Sequence, residues 1–222
     1  MKNLSKTTQE FTAMGGSIFS DSLSPSDGNI FVTDFEDSNL ESFTRQVLEA
    51  EKSPMVQNIV IWVSSYGGNV HNALAMVDLI ESLRKPVFTV AYGKAMSAGC
   101  LLVASGPRNN RFITPNSHML IHEASGGAAG KAQDVIQQAK ELRNLNDRLL
   151  ELMSKYSKKK ARDLKKILQN IHNGDLVLNA AKSVDFGLAD YIGVPKSVRN
   201  DPSEIIGVFS KTMQRKPRKP KK

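Results

Sequence analysis

Four short apolar runs, three of them followed by helical spacing, constrain this chain most. They are Asn29-Ile-Phe-Val-Thr33, Gln57-Asn-Ile-Val-Ile-Trp-Val-Ser64, Pro86-Val-Phe-Thr-Val-Ala91 and His118-Met-Leu-Ile121. The first three are rich in β-branched and aromatic residues, the fourth is short and mostly apolar, and all four read as strands. Leu40, Phe43 and Val47 follow the first at helical steps, and Val70, Leu74, Val77 and Ile80 follow the second. Small apolar residues after Ser97 suit a further helix. Val135, Ala139, Leu142, Leu145, Leu149, Leu152 and Tyr156 predict a long amphipathic helix over about 131–156. Strands that alternate with helices predict an α/β layer protein of right-handed ββα or βαβ units. The long helix spans about 38 Å at ~1.5 Å per residue. That is too long for the local core, so it is expected to protrude toward another subunit. Lys158 to Asn170 predicts another helix, Asn179 caps a short one, and Gly187–Gly193 closes the fold.

The 222 residues fit one domain of about 200 residues plus tails. Residues 1–28 are expected to form a mobile N-terminal segment with a few docking apolars. Residues 29–195 form the domain. Residues 196–222 form a basic tail expected to be disordered. The last twelve residues carry seven Lys or Arg and no acid, so without them the net charge falls from +8 to +1. A Pro-broken basic tail can touch nucleic acid or an acidic surface. It has no interleaved aromatics for base stacking, so nucleic acid is not the expected partner. The single cysteine, Cys100, excludes an intrachain disulfide. No apolar run reaches the roughly 20 residues that span a bilayer, and the N-terminus lacks a signal-peptide core. The expected setting is cytoplasmic, with no membrane partner.

Ser97 stands where the strand 86–91 gives way to a helix. Free N–H groups and the positive end of the helix dipole point there. A serine at that turn is either an N-cap or a nucleophile beside its own oxyanion donors. The nucleophile elbow of α/β-hydrolases wants Gly two residues before the serine, and Ala95 is there instead. No Gly-x-x-x-x-Gly-Lys-Ser/Thr phosphate loop is present. Gly126-Gly127-x-x-Gly130 precedes a charged helix and lacks the βαβ setting of a dinucleotide site. Among the histidines, His71 reads as a surface residue, His118 as a strand start and His172 as a loop residue. His122 ends a strand and enters a Gly-rich loop, where a base is held yet accessible. No metal-ligand cluster exists, so no metal site is expected. Acyl transfer needs a nucleophile, a base, a group that orients the base, and oxyanion donors. Ser97 and His122 can supply the first two, and the N–H groups of Gly68 and Ala98 the last.

These pieces, in this order, resemble the ClpP family, the proteolytic subunits of Clp proteases. The likeness runs from about Asn29 to Ile192. It rests on Ser64-Ser-Tyr-Gly-Gly68, where the family has Ser-Pro-Gly-Gly, and on Gly93-Lys-Ala-Met-Ser97-Ala-Gly99. It rests also on Pro115-Asn-Ser-His-Met-Leu-Ile-His122, on Gly126-Gly127-x-x-Gly130-x-Ala132-x-Asp134, and on Phe186-Gly-Leu-Ala-Asp190. The resemblance implies a ClpP/crotonase-like α/β spiral of ββα units with a protruding strand-helix handle, here about 123–156. It implies a serine endopeptidase whose subunits form a homo-oligomer, two heptameric rings stacked as a tetradecamer. A partner AAA+ Clp unfoldase would use ATP to supply unfolded polypeptide substrates. The subunit itself would need no cofactor. The strand at Gly126 and Gly127 would bind substrate by pairing with it. The unfoldase would dock in apolar pockets near Trp62.

Departures from the family pattern bear on the third catalytic position. In the pattern Leu-x-x-Ile-x-x-Asp the chain reads Leu164-Lys-Lys-Ile167-Leu-Gln-Asn170. Asn170 occupies the position; Asp175 is the alternative if the loop folds back. Asn can accept the imidazole N–H but cannot offset an imidazolium's charge. Tyr66 replaces the usual Pro of the oxyanion loop, and His118 a residue that is often Arg. Two other readings stay open. One is a slow or inactive ring subunit that pairs with an active paralogue. The other is a crotonase-type acyl-CoA enzyme, whose usual bases are paired carboxylates rather than a serine and a histidine.

Overall fold

The computed structural model describes residues 27–171 and 174–195. The expected tail at 196–222, all but two residues of the expected N-terminal segment, and His172 lie outside the described residues.

The described residues form a seven-stranded sheet and six helices. The strands are β1 (Asn29–Val32), β2 (Ile59–Ser65), β3 (Val87–Met96), β4 (Arg111–Ile113), β5 (His118–Ile121), β6 (Leu176–Asn179) and β7 (Tyr191–Ile192). The helices are α1 (Asp37–Lys52), α2 (Val70–Ser82), α3 (Ala98–Ser105), α4 (Ala132–Tyr156), α5 (Ala161–Gln169) and α6 (Ala180–Phe186). The sheet runs β1-β2-β3-β4-β7, all parallel. β5 joins β3 in parallel, and β6 pairs antiparallel with β5. This is the mixed, mostly parallel α/β architecture expected of the ClpP-like fold.

β3 explains how one sheet serves two directions. The strand expected to end at Ala91 runs on to Met96. Its first half pairs Thr89, Val90 and Ala91 with β4, and its second half pairs Lys94, Ala95 and Met96 with β5. Between them Gly93 takes φ 71°, and the register with β2 slips after Val63. A glycine in that conformation accommodates the bulge without a Cβ clash. The bend re-aims the strand toward Ser97.

Helices cover the face where Ile59, Ile61 and Val63 of β2 are fully buried. All eight residues of α3 are buried, as expected of a helix apolar on every side. Asn69 caps α2, accepting the N–H groups of His71 and Asn72, so the helix begins after Gly67 and Gly68 rather than on them. Asn179 caps α6 by accepting Lys182 N–H, and Gly187 ends it at φ 86°. Only the last turns of α4 reach the core, through Leu150, Met153 and Tyr156. Its earlier turns are largely exposed. The segment 123–130 before it forms no strand in the described chain, unlike the expected strand at Gly126 and Gly127.

Candidate active site

Ser97 follows directly on β3 and caps α3. Its backbone lies at φ 52°, ψ −118°, a conformation costly for a residue with a side chain. The surroundings hold it there. Ser97 N–H donates to the carbonyl of Leu120 at 2.9 Å, and its own carbonyl accepts from Leu101 N–H. The side chain makes no capping hydrogen bond, which leaves the hydroxyl available. Gly67 packs so close that a Cβ there would stand 2.7 Å from Ser97 Cβ and 3.2 Å from its Oγ. Glycine at 67, at φ 108°, is therefore what lets the loop approach the serine.

His122 is placed by strand register. β3 pairs Met96 with Leu120, which sets Ser97 level with Ile121 and His122 one residue beyond it. Ser97 and His122 accordingly line the same cavity of about 260 Å³. Val70, Ala73, Leu101, Leu149 and Met153 give it an apolar wall, and Gly68 and Ala98 line it with them. The N–H groups of Gly68 and Ala98 donate to no other group among the described residues. That of Ala98 opens α3, where a helix's first N–H groups have no internal partner. A cavity with a free hydroxyl, an imidazole and two unpaired N–H groups can carry acyl transfer.

The antiparallel pair β5–β6 decides which side chain stands beside the imidazole. Ile121 faces Leu176, which puts Asp175 opposite His122. Asp175 Oδ1 lies 3.7 Å from His122 Nδ1, with the two side chains 50% and 31% exposed. That separation is longer than a hydrogen bond. Asn170 is elsewhere. It closes α5, its N–H donating back to carbonyls of that helix, and its exposed side chain makes no hydrogen bond among the described residues. The spacing that favoured Asn170 counted along a helix, whereas the contact is made by a strand. Leu176-Val-Leu178 was the available signal: read as a strand paired with 118–121, it brings Asp175 to His122.

Of the other singled-out residues, Gly126 lies against Leu142 and Gly127 is open to solvent. His71 and His118 are exposed. Two residues of the site escaped a role in the sequence reading. Asn146 on α4 accepts the Ala124 N–H at 3.0 Å and so ties the loop after His122 to the long helix. Tyr66 lines the cavity at its mouth. Cys100 also borders it, and burial pushes its thiol up, away from the reactive thiolate.

Fold and site together define an α/β protein whose cavity, at the C-terminal ends of parallel strands, is furnished for hydrolytic chemistry. The family model described as Clp protease matches residues 21–196, and the chain belongs to that family. It is thus a ClpP-type peptidase by family, a hydrolase of peptide bonds.

Proposed function

We propose that the chain is an active serine endopeptidase subunit of a self-compartmentalised ring protease. Ser97 Oγ attacks the scissile carbonyl as His122 takes its proton. The oxyanion forms between the N–H groups of Gly68 and Ala98. The tetrahedral intermediate collapses, the C–N bond breaks, and His122 returns the proton to the leaving amine. Water then enters, gives a proton to His122, and hydrolyses the Ser97 ester. The ester oxygen leaves with that proton, which restores the free hydroxyl. Asp175 orients His122 and offsets its transient charge; this reading assigns no catalytic part to Asn170.

The observation that carries the proposal is Ser97 itself, in a strained backbone and bordering the cavity that holds His122. Strain retained at a side chain free of capping bonds points to use of that side chain. Substrate would add as an extra strand along the unpaired segment containing Gly126 and Gly127. The exposed turns of α4 would join two heptameric rings into a tetradecamer. An AAA+ unfoldase would use ATP to deliver unfolded chains, and the subunit would need no cofactor. Its docking place would be the face where Phe31, 42% exposed, stacks on Trp62 with Tyr92 at their edges.

The test is labelling with a fluorophosphonate probe together with hydrolysis of fluorogenic peptides. Wild type should label and cleave, and Ser97→Ala should do neither. Equal labelling of the two would defeat the assignment of Ser97.

A further inference from the structure

Tyr66 is 74% exposed, yet it is not a loose surface residue. The loop beneath it is pinned, because the fully buried Ser65 accepts the Gly67 N–H on its hydroxyl at 3.0 Å. Its ring is braced from β3, where Lys94 Nζ sits 4.1 Å from the ring centroid. Lys94 makes no ion pair among the described residues, so the aromatic face is the partner the structure records for its ammonium. An ammonium over a ring holds it electrostatically, and a held ring loses little freedom when something packs on it. Tyr66 lines the same cavity as Ser97, two residues before the oxyanion donor Gly68. A large, half-apolar ring thus stands at the mouth of the site, in front of the aliphatic wall of Val70, Leu101, Leu149 and Met153.

We propose that Tyr66, braced by Lys94, is a specificity-determining residue that receives an aromatic side chain of the substrate close to the scissile bond. The inference rests on the peptidase reading and adds to it the substrate class. One face of the ring is taken by the ammonium. The other face offers the offset or edge-on contact that aromatic pairs adopt, and the hydroxyl remains at the wet rim.

The experiment scans an aromatic residue against alanine through each position of a fluorogenic peptide. Wild type, Tyr66→Ala, Tyr66→Phe and Lys94→Gln are compared as full-length protein. At one position the wild-type aromatic-to-alanine ratio of kcat/KM should fall about fivefold in Tyr66→Ala. Tyr66→Phe should retain the ratio, and Lys94→Gln should reduce it in part. A ratio unchanged at every position in Tyr66→Ala overturns the proposal. Should Tyr66→Ala fail to fold, Tyr66→Leu keeps the bulk without the aromatic face and is read by the same criterion.

A second arm separates this inference from the peptidase reading. Binding of fluorescent aromatic and alanine peptides to Ser97→Ala is measured by anisotropy, with and without Tyr66→Ala. If wild type cleaves nothing, the peptidase reading fails. Tyr66 is then judged by binding alone. An aromatic preference that disappears with Tyr66→Ala supports it, and equal affinities overturn it.

Discussion

At the scale of single residues the site depends on a few atoms. Asp175→Asn should lower kcat on the order of 10²-fold or more, since an amide beside His122 cannot offset an imidazolium. Asn170→Ala should leave kcat/KM essentially unchanged, because its side chain bonds to nothing near the imidazole. Peptide hydrolysis by the two variants checks both. Gly67→Ala should abolish probe labelling of Ser97, as the new methyl would meet Ser97 Cβ at 2.7 Å in a backbone that disfavours it. Cys100 should stay silent to Ellman's reagent in the native protein and react only on unfolding, since it is 1% exposed and burial disfavours its thiolate.

At the scale of elements, one buried ion pair ties several together. Arg111 of β4, 1% exposed, donates from Nη2 to Asp190 Oδ1 at 2.6 Å and from Nε to Oδ2 at 2.9 Å. Its Nη1 donates to carbonyls of Ala104 at the end of α3 and Tyr156 at the end of α4. Asp190→Asn should cost about 3–5 kcal/mol, read as a drop in unfolding midpoint, because it leaves a guanidinium buried without its counter-charge. Burial alone would raise the Asp190 carboxyl, but hydrogen bonds and charge from Arg111 hold it below the usual carboxylate range. Its contribution is therefore complete above the ordinary carboxylate pKa and lost as pH falls through the depressed value. Denaturant midpoints from pH 7 downward should show that acid loss in wild type and less of it in Asp190→Asn. The elements themselves were unevenly legible in the sequence. α4 announced itself because seven apolar residues keep helical steps over six turns. Ser97 was legible because it follows a strand that opens on the β-branched run Val87-Phe-Thr-Val90, and His122 because it follows the short apolar run His118–Ile121. β6 has four residues and no alternation, so its pairing with β5, and with it the neighbour of His122, could not be read from periodicity. The bulge at Gly93 hid too, since the composition of Tyr92-Gly-Lys-Ala does not announce a continuing strand.

At the scale of the whole molecule, α4 is anchored at one end and bare at the other. Its exposed Ile136, 48% accessible, lies in the part that reaches no core. If those turns join rings, Ile136→Glu should split the double ring into single rings. Native mass spectrometry should show half the wild-type assembly mass, with the subunit's own unfolding midpoint little changed.

The fork in β3 has one more outcome. The same ten residues are hydrogen-bonded to β2 throughout much of their length, to β4 early and to β5 late. A proteolytic enzyme lives among its own hydrolytic products and is itself made of cleavable bonds. Ser97 follows directly on the one described strand that pairs with three others, so if it is the nucleophile proposed above, self-digestion would fray the periphery before it reached the blade.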